Sequence, residues 1–186
     1  MSDEAQNRNF MSPLRFDFSI DRLPRVNFFV QSANIPGISV PPVSNNQGTP
    51  FNNIQWQGDR ISWSDLVVDF KVDEEGENWY DIFKWMNGMT GPEGVEGYSD
   101  LKKGIDKDLS GNTRKLLAPV GKIGHIFGNG LLLVRNSNNN VILTVKFQDV
   151  WPTSLSELKF DTRDESVNEI TCTATFRYDL YKVAKP

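Results

Sequence analysis

The sequence predicts a mainly β fold, an antiparallel barrel or sandwich with one flanking helix, and three observations predict it. Apolar and polar residues alternate with period two in several separate runs, one stretch alone changes to helical spacing, and the connections are rich in Pro, Gly and Asn. With 186 residues, 38% of them hydrophobic, the chain is long enough for one domain, 1–186, with a substantial core.

The first alternating run is Leu14 to Ile20, with Leu14, Phe16, Phe18 and Ile20 on one face. Val26, Phe28 and Val30 share a face in the next run, so the two predict an antiparallel pair joined across 21–25. The prolines and glycine of NIPGISVPP (34–42) then end the strand, because proline removes a ladder donor. The loop VSNNQGTPFNNIQWQG (43–58) is polar yet holds Phe51, Ile54 and Trp56. A loop of that length is uncommon without a task. Its apolar residues either fold back onto the core or meet a partner.

Leu66, Val68, Phe70 and Val72 face one way in the next strand, with Asp65, Asp69 and Lys71 opposite. Beyond it Trp79, Ile82, Phe83 and Met86 fall at i, i+3, i+4 and i+7, which predicts a helix over 74–88 with these four toward the core. Asp73, Glu74, Glu75 and Glu77 crowd its expected first turn, where negative charge suits the helix dipole. Gly88, Gly91 and Pro92 stop it. The stretch 93–130 mixes glycine and charge and is expected to be irregular or inserted. Strands are expected again at 131–135 and 141–147 around the turn NSNNN, and at 170–180, where even positions are apolar and odd positions are Thr171, Thr173, Thr175, Arg177 and Asp179. Between the last two lies DVWPTSLSELKFD (149–161), in which Trp151 is expected to plug the core and Pro152 to end the ladder.

Composition and motifs exclude more than they assign. The net charge is −4, which does not suit a protein that coats nucleic acid through a basic surface. No apolar run approaches the roughly 20 residues needed to cross a bilayer as a helix. The opening MSDEAQNRNF lacks a signal-peptide layout, so a cytosol-like compartment and no membrane partner are expected. Cys172 is the only cysteine and His125 the only histidine, without metal-ligand spacing around either. Gly121-Lys122 lacks both the upstream glycine and the following Ser or Thr of a phosphate loop. No enzyme, cofactor or metal is expected.

The order LPRVNFFVQSANIPGISVPP, QGDR (57–60), ISWSDLVVDFKVDEEGENWYDIFKWM, VWPTSLSELKFD and NEITCTATFRYDL resembles the tail tube protein family of contractile-tailed bacteriophages, over nearly the whole chain except 93–130. The resemblance implies an Hcp-like fold of two packed antiparallel sheets, with six copies in a ring and rings stacked into a tube inside a contractile sheath. It implies a virion component assembled in the host cytoplasm, with sheath, baseplate or initiator and tail terminator proteins as partners. Genomic DNA would pass the lumen without specific binding. Residues 1–12 would be an N-terminal arm and 40–58 an arm reaching the adjacent ring. Contacts between copies would then use Phe51, Ile54, Trp56, Asp59, Arg60, Ser154, Ser156 and Glu157. The lumen would be lined by Asp65, Asp69, Lys71, Thr171, Thr173, Thr175, Arg177 and Asp179. The main tube subunit is the expected role, with a tube initiator or a secretion-type tube protein as close alternatives. A monomeric ligand-binding β domain is the alternative of another class.

Overall fold

The computed structural model describes residues 11, 13–45, 54–91, 126–161 and 169–186. In chain order these form β1 (Phe16–Ile20), α1 (Pro24–Phe29), β2 (Val30–Ala33), β3 (Ile38–Ser39), β4 (Val43–Asn45), β5 (Ile54–Trp56), β6 (Ser62–Trp63), β7 (Leu66–Lys71), α2 (Glu77–Thr90), β8 (Gly128–Arg135), β9 (Val141–Leu155), β10 (Thr171–Arg177) and β11 (Leu180–Ala184). Seven strands make one sheet in the order β1-β8-β9-β10-β7-β2, with β11 also paired to β9. Every pairing is antiparallel.

The fifteen-residue β9 organises the sheet, since its first half pairs with β8 and β11 and its second half with β10. Alternation turns Phe18, Leu132, Val145 and Phe147 of one half and Val68, Phe70, Ala174 and Phe176 of the other into a single core. Burying a side chain of the size of Phe70 or Phe176 contributes roughly 2–3 kcal/mol.

Local chemistry overrides the strand pattern at 24–29. Pro24 stands in the first turn of α1, where its fixed φ and missing N–H cost nothing. Val26 is buried beneath that helix, while Phe28, which a strand would have turned inward with Val26, is exposed. The expected pairing of 14–20 with 26–32 is therefore corrected: β1 pairs β8, and β2 pairs β7. Leu14 lies outside β1 and is exposed. The molecule has two helices among the described residues rather than the one expected.

The main helix begins at Glu77, three residues later than expected, because Gly76 takes the left-handed conformation at φ 68° and closes the preceding turn. Asp73, Glu74 and Glu75 thus precede the helix, and Glu77 alone is acidic in its first turn. The buried Asn78 organises this start: its side-chain amide donates to the Lys71 carbonyl (2.8 Å), and its oxygen accepts from the Trp79 amide (2.8 Å). Gly91 ends α2 in the left-handed region and donates to the Asn87 carbonyl. The buried face is Asn78, Ile82, Trp85 and Gly88, with Trp79 and Met86 packed at its margin. Phe83 is corrected from core to surface, 39% exposed and stacked on Trp79 at 5.3 Å. The helix is tied just beyond β9 by the Trp79 indole, which donates to the Ser156 carbonyl (3.2 Å), and near β8 by the Trp85 indole, which donates to the Ile126 carbonyl (2.8 Å).

The tryptophan corner is not a corner. β9 runs straight through Trp151 and Pro152, and Pro152 is buried opposite Phe176. The last β9 residue that β8 reaches is Val150, so Pro152 has a neighbour strand on one side alone among the described residues and its missing N–H breaks no second ladder. Trp151 is half-buried against Phe127, with ring centroids 5.3 Å apart. The irregularity in β9 lies just before it: Asp149 has a φ of 53°, unusual for a residue other than glycine, and the β8 register shifts opposite 147–150. The 1–12 arm, apart from Met11, and residues 93–125, including His125, lie outside the described residues, whereas 128–130, expected to be irregular, begin β8.

Candidate assembly surfaces

Residues 36–45 and 54–64 form the two legs of a ribbon. At its base Ile38 pairs with Trp63 and Ser39 with Ser62, and the Ser64 amide donates to the Gly37 carbonyl (3.0 Å). Farther out, Val43 pairs with Trp56 and Asn45 with Ile54. Between the two ladders Pro41 and Pro42 interrupt one leg, while Gly58 of the other lies so close that a Cβ there would come 2.1 Å from the Pro41 oxygen. That is the physical use of the glycine in the Gln57–Arg60 turn.

The ribbon is apolar on its surface: Ile38, Val40, Val43, Trp56 and Ile61 are all exposed. Trp56, at 62% exposure, does not fold back onto the core. Asp59 and Arg60 are exposed beside it. Ile54 lies on β5, and Phe51 is outside the described residues. Sequence reasoning missed Ile35, Ile38, Val40 and Ile61; for the first three the signal available was an apolar residue directly beside a proline or glycine, where no core strand can run.

The remaining predicted contacts are placed differently. Ser154 is exposed on β9 opposite Thr175. Ser156 is not in a free outer loop, since its amide donates to the Thr173 carbonyl (2.9 Å) and its hydroxyl accepts from the Thr173 amide (2.9 Å). Glu157 is exposed while its carbonyl accepts from the buried Cys172 thiol at 3.9 Å.

The outward face of β7 and β10 is polar and internally knitted. Thr171 stands opposite Lys71, Thr173 opposite Asp69 and Thr175 opposite Val67. Asp69 accepts from the Ser32 and Thr173 hydroxyls, each at 2.6 Å, so one carboxylate joins β2, β7 and β10. Arg177 meets Asp65 at 2.5 Å, and Lys71 pairs with Glu169. Seven of the eight predicted lumen residues share this neighbourhood. Asp179 is the exception: it lies in the bend between β10 and β11, where its amide donates to the Gln148 carbonyl (3.1 Å). Elsewhere Arg25 links α1 to Glu77 (2.7 Å) and Asp81 (3.6 Å) of α2. Burial pushes the Asp81 carboxyl up, with Arg25 opposing.

No protein-family model matches the chain. It is 29% identical over 158 residues to the tail tube terminator protein of Enterobacteria phage T4, covering 83% of this chain and 76% of that one. The fold matches the tube-terminating cap of the anti-feeding prophage with a TM-score of 0.60 at 14% identity, over 99% of this chain and 97% of that one. It matches a chain of the sheath-tube complex of the PVC extracellular contractile injection system with a TM-score of 0.58 at 14% identity, over 96% and 94%.

The chain is similar to a tail-tube-related protein.

Among the described residues two surfaces stand out. Among the described residues no three His, Cys, Asp or Glu side chains are grouped to hold a metal ion. The exposed apolar ribbon and the knitted polar face of β7 and β10 are the two features with a chemistry suited to assembly.

Proposed function

We propose that the chain is the subunit of a ring that terminates a contractile tail tube, a structural role without catalysis. The observation that carries this is the 29% identity, over most of both chains, to the tail tube terminator protein of phage T4. The fold likeness to a tube-terminating cap is consistent with it. Six copies form the ring, and the ribbon of each lays Trp56, Val43 and Ile38 on a neighbouring copy, removing from water an apolar surface that a free monomer leaves exposed. A second, heterologous face docks on the last ring of the tube. The sheath end is the neighbouring partner, and the virion tail is the location.

The polar face of β7 and β10 lines the channel. Each copy carries a net −4, and Asp65 and Asp69 stand on that face, so phosphates meet few cations as DNA passes. Main tube subunit is the second reading, because the fold fits a chain of a sheath-tube complex almost as well as it fits a cap. A tube initiator differs from both in its position along the tail.

Quantitative mass spectrometry and immunogold labelling of intact tails separate these roles. A terminator is present at one ring per tail and labels the end away from the baseplate. Label along the whole length, with many rings per tail, overturns termination in favour of the main subunit, and label at the baseplate end overturns it in favour of initiation.

A further inference from the structure

Tyr178 and Tyr181 are three residues apart, so in an unbroken strand their side chains would face opposite sides of the sheet. Both are buried. The bend at Asp179, opposite the positive φ of Asp149, resets the alternation between β10 and β11: Arg177 pairs with Trp151 and Leu180 with Gln148, and inward facing passes from even positions to Tyr181. Phe147 backs both rings, at 5.3 Å from Tyr178 and 5.7 Å from Tyr181.

The two hydroxyls then reach opposite legs of one ribbon. Tyr181 donates to the carbonyl of buried Pro36 (2.9 Å), on the outgoing leg. Tyr178 donates to the carbonyl of Ser64 (2.8 Å), on the returning leg. The Trp63 ring meets the Tyr181 ring edge-on at 4.8 Å. Among the described residues of 37–62 none belongs to the buried hydrophobic core, and a two-stranded ribbon with a two-residue ladder at its base does not hold its own direction. One anchor would leave the ribbon free to swivel; two anchors on different legs fix it.

We propose that Tyr178 and Tyr181 are positioning residues for assembly: their hydroxyls grip one leg each of the ribbon, 36–45 and 54–64, and set the direction in which the legs leave the body. This rests on the ribbon being a contact between copies, as proposed above. Burial pushes the Tyr178 phenol up to about 12, so the donor keeps its proton at ordinary pH. The role costs the body little, because the core that holds the rings is apolar and independent of the hydroxyls.

The test compares the full-length chain with Tyr178→Phe, Tyr181→Phe, the double variant, and Trp56→Ser as a direct lesion of the ribbon surface. Ring formation is followed by sedimentation with tail tubes that lack this chain, and hydrogen exchange is read at the Ser64 amide. For two hydrogen bonds removed, the double variant should exchange at Ser64 roughly tenfold faster and need roughly tenfold more protein to form rings, with each single variant between. Its melting point should stay within about 5 °C of the parent. Unchanged exchange at Ser64 overturns the grip. Normal rings from the double variant, while Trp56→Ser forms none, overturn its role in assembly and leave the ribbon contact standing. Normal rings from Trp56→Ser overturn the ribbon contact itself.

Discussion

Substituting alanine for Gly58 should separate the ribbon from the body of the protein. A Cβ at this position lies 2.1 Å from the Pro41 oxygen and 3.3 Å from its carbonyl carbon, whereas ordinary van der Waals contact begins near 3.4 Å. The obstacle is backbone on a facing leg, not the end of a flexible side chain, so the legs must part by more than about 1 Å, an overpacking cost of about 3 kcal/mol. That cost falls between the β3–β6 and β4–β5 ladders, which contain five residue pairs in all. Among the described residues between Gly37 and Ser62 none belongs to the buried hydrophobic core, so the sheet and α2 do not feel the change. Gly58→Ala is expected to melt within about 3 °C of the parent while ribbon amides exchange at least about tenfold faster, as local opening permits. Thermal melting and residue-resolved hydrogen exchange measure both. A melt lowered by about 10 °C would refute the reasoning, since the ribbon would then belong to the same cooperative unit as the core.

Phe70→Ala removes a fully buried ring between Cys172 and Val30 and should cost about 3–5 kcal/mol, lowering the melting point by about 10 °C or more in thermal denaturation. Asp65→Lys with Asp69→Lys should leave rings intact in electron micrographs but slow DNA ejection from purified particles, because cations at these positions attract phosphate; unchanged ejection kinetics would remove this face from the lumen. Alkaline pH should destabilise the chain through Tyr178. Its folded pKa is raised from 10.0 to about 12, so the folded state holds the proton more tightly, and stability present below pH 10 is lost as pH rises through that window. Tyr178→Phe should flatten that part of a stability–pH curve measured by denaturant unfolding.

Much of the architecture is legible in side-chain period. Leu66, Val68 and Phe70 alternate inward as the strand pattern demands, as do Cys172, Ala174 and Phe176, because a one-residue slip would turn each set to water. Period two also places Asp69 and Thr173 on the opposite face, where they meet. It cannot say which strands are neighbours, and so the 14–20 run reads as a partner of 26–32 when its partner is β8. Nor can it outvote a proline at a helix N-terminus, which turns Pro24–Phe29 into α1.

The sequence by itself determined the faces of β7 and β10 and the place of the main helix, because these depend on residue type and short spacing. The tertiary structure alone decided that Pro152 lies within a strand, since a missing N–H matters only where a second neighbour waits for it. It also decided that Tyr178 and Tyr181 share a side. The bend at Asp179 that brings them together lies opposite Asp149, some thirty residues earlier in the chain, a separation that local periodicity does not register.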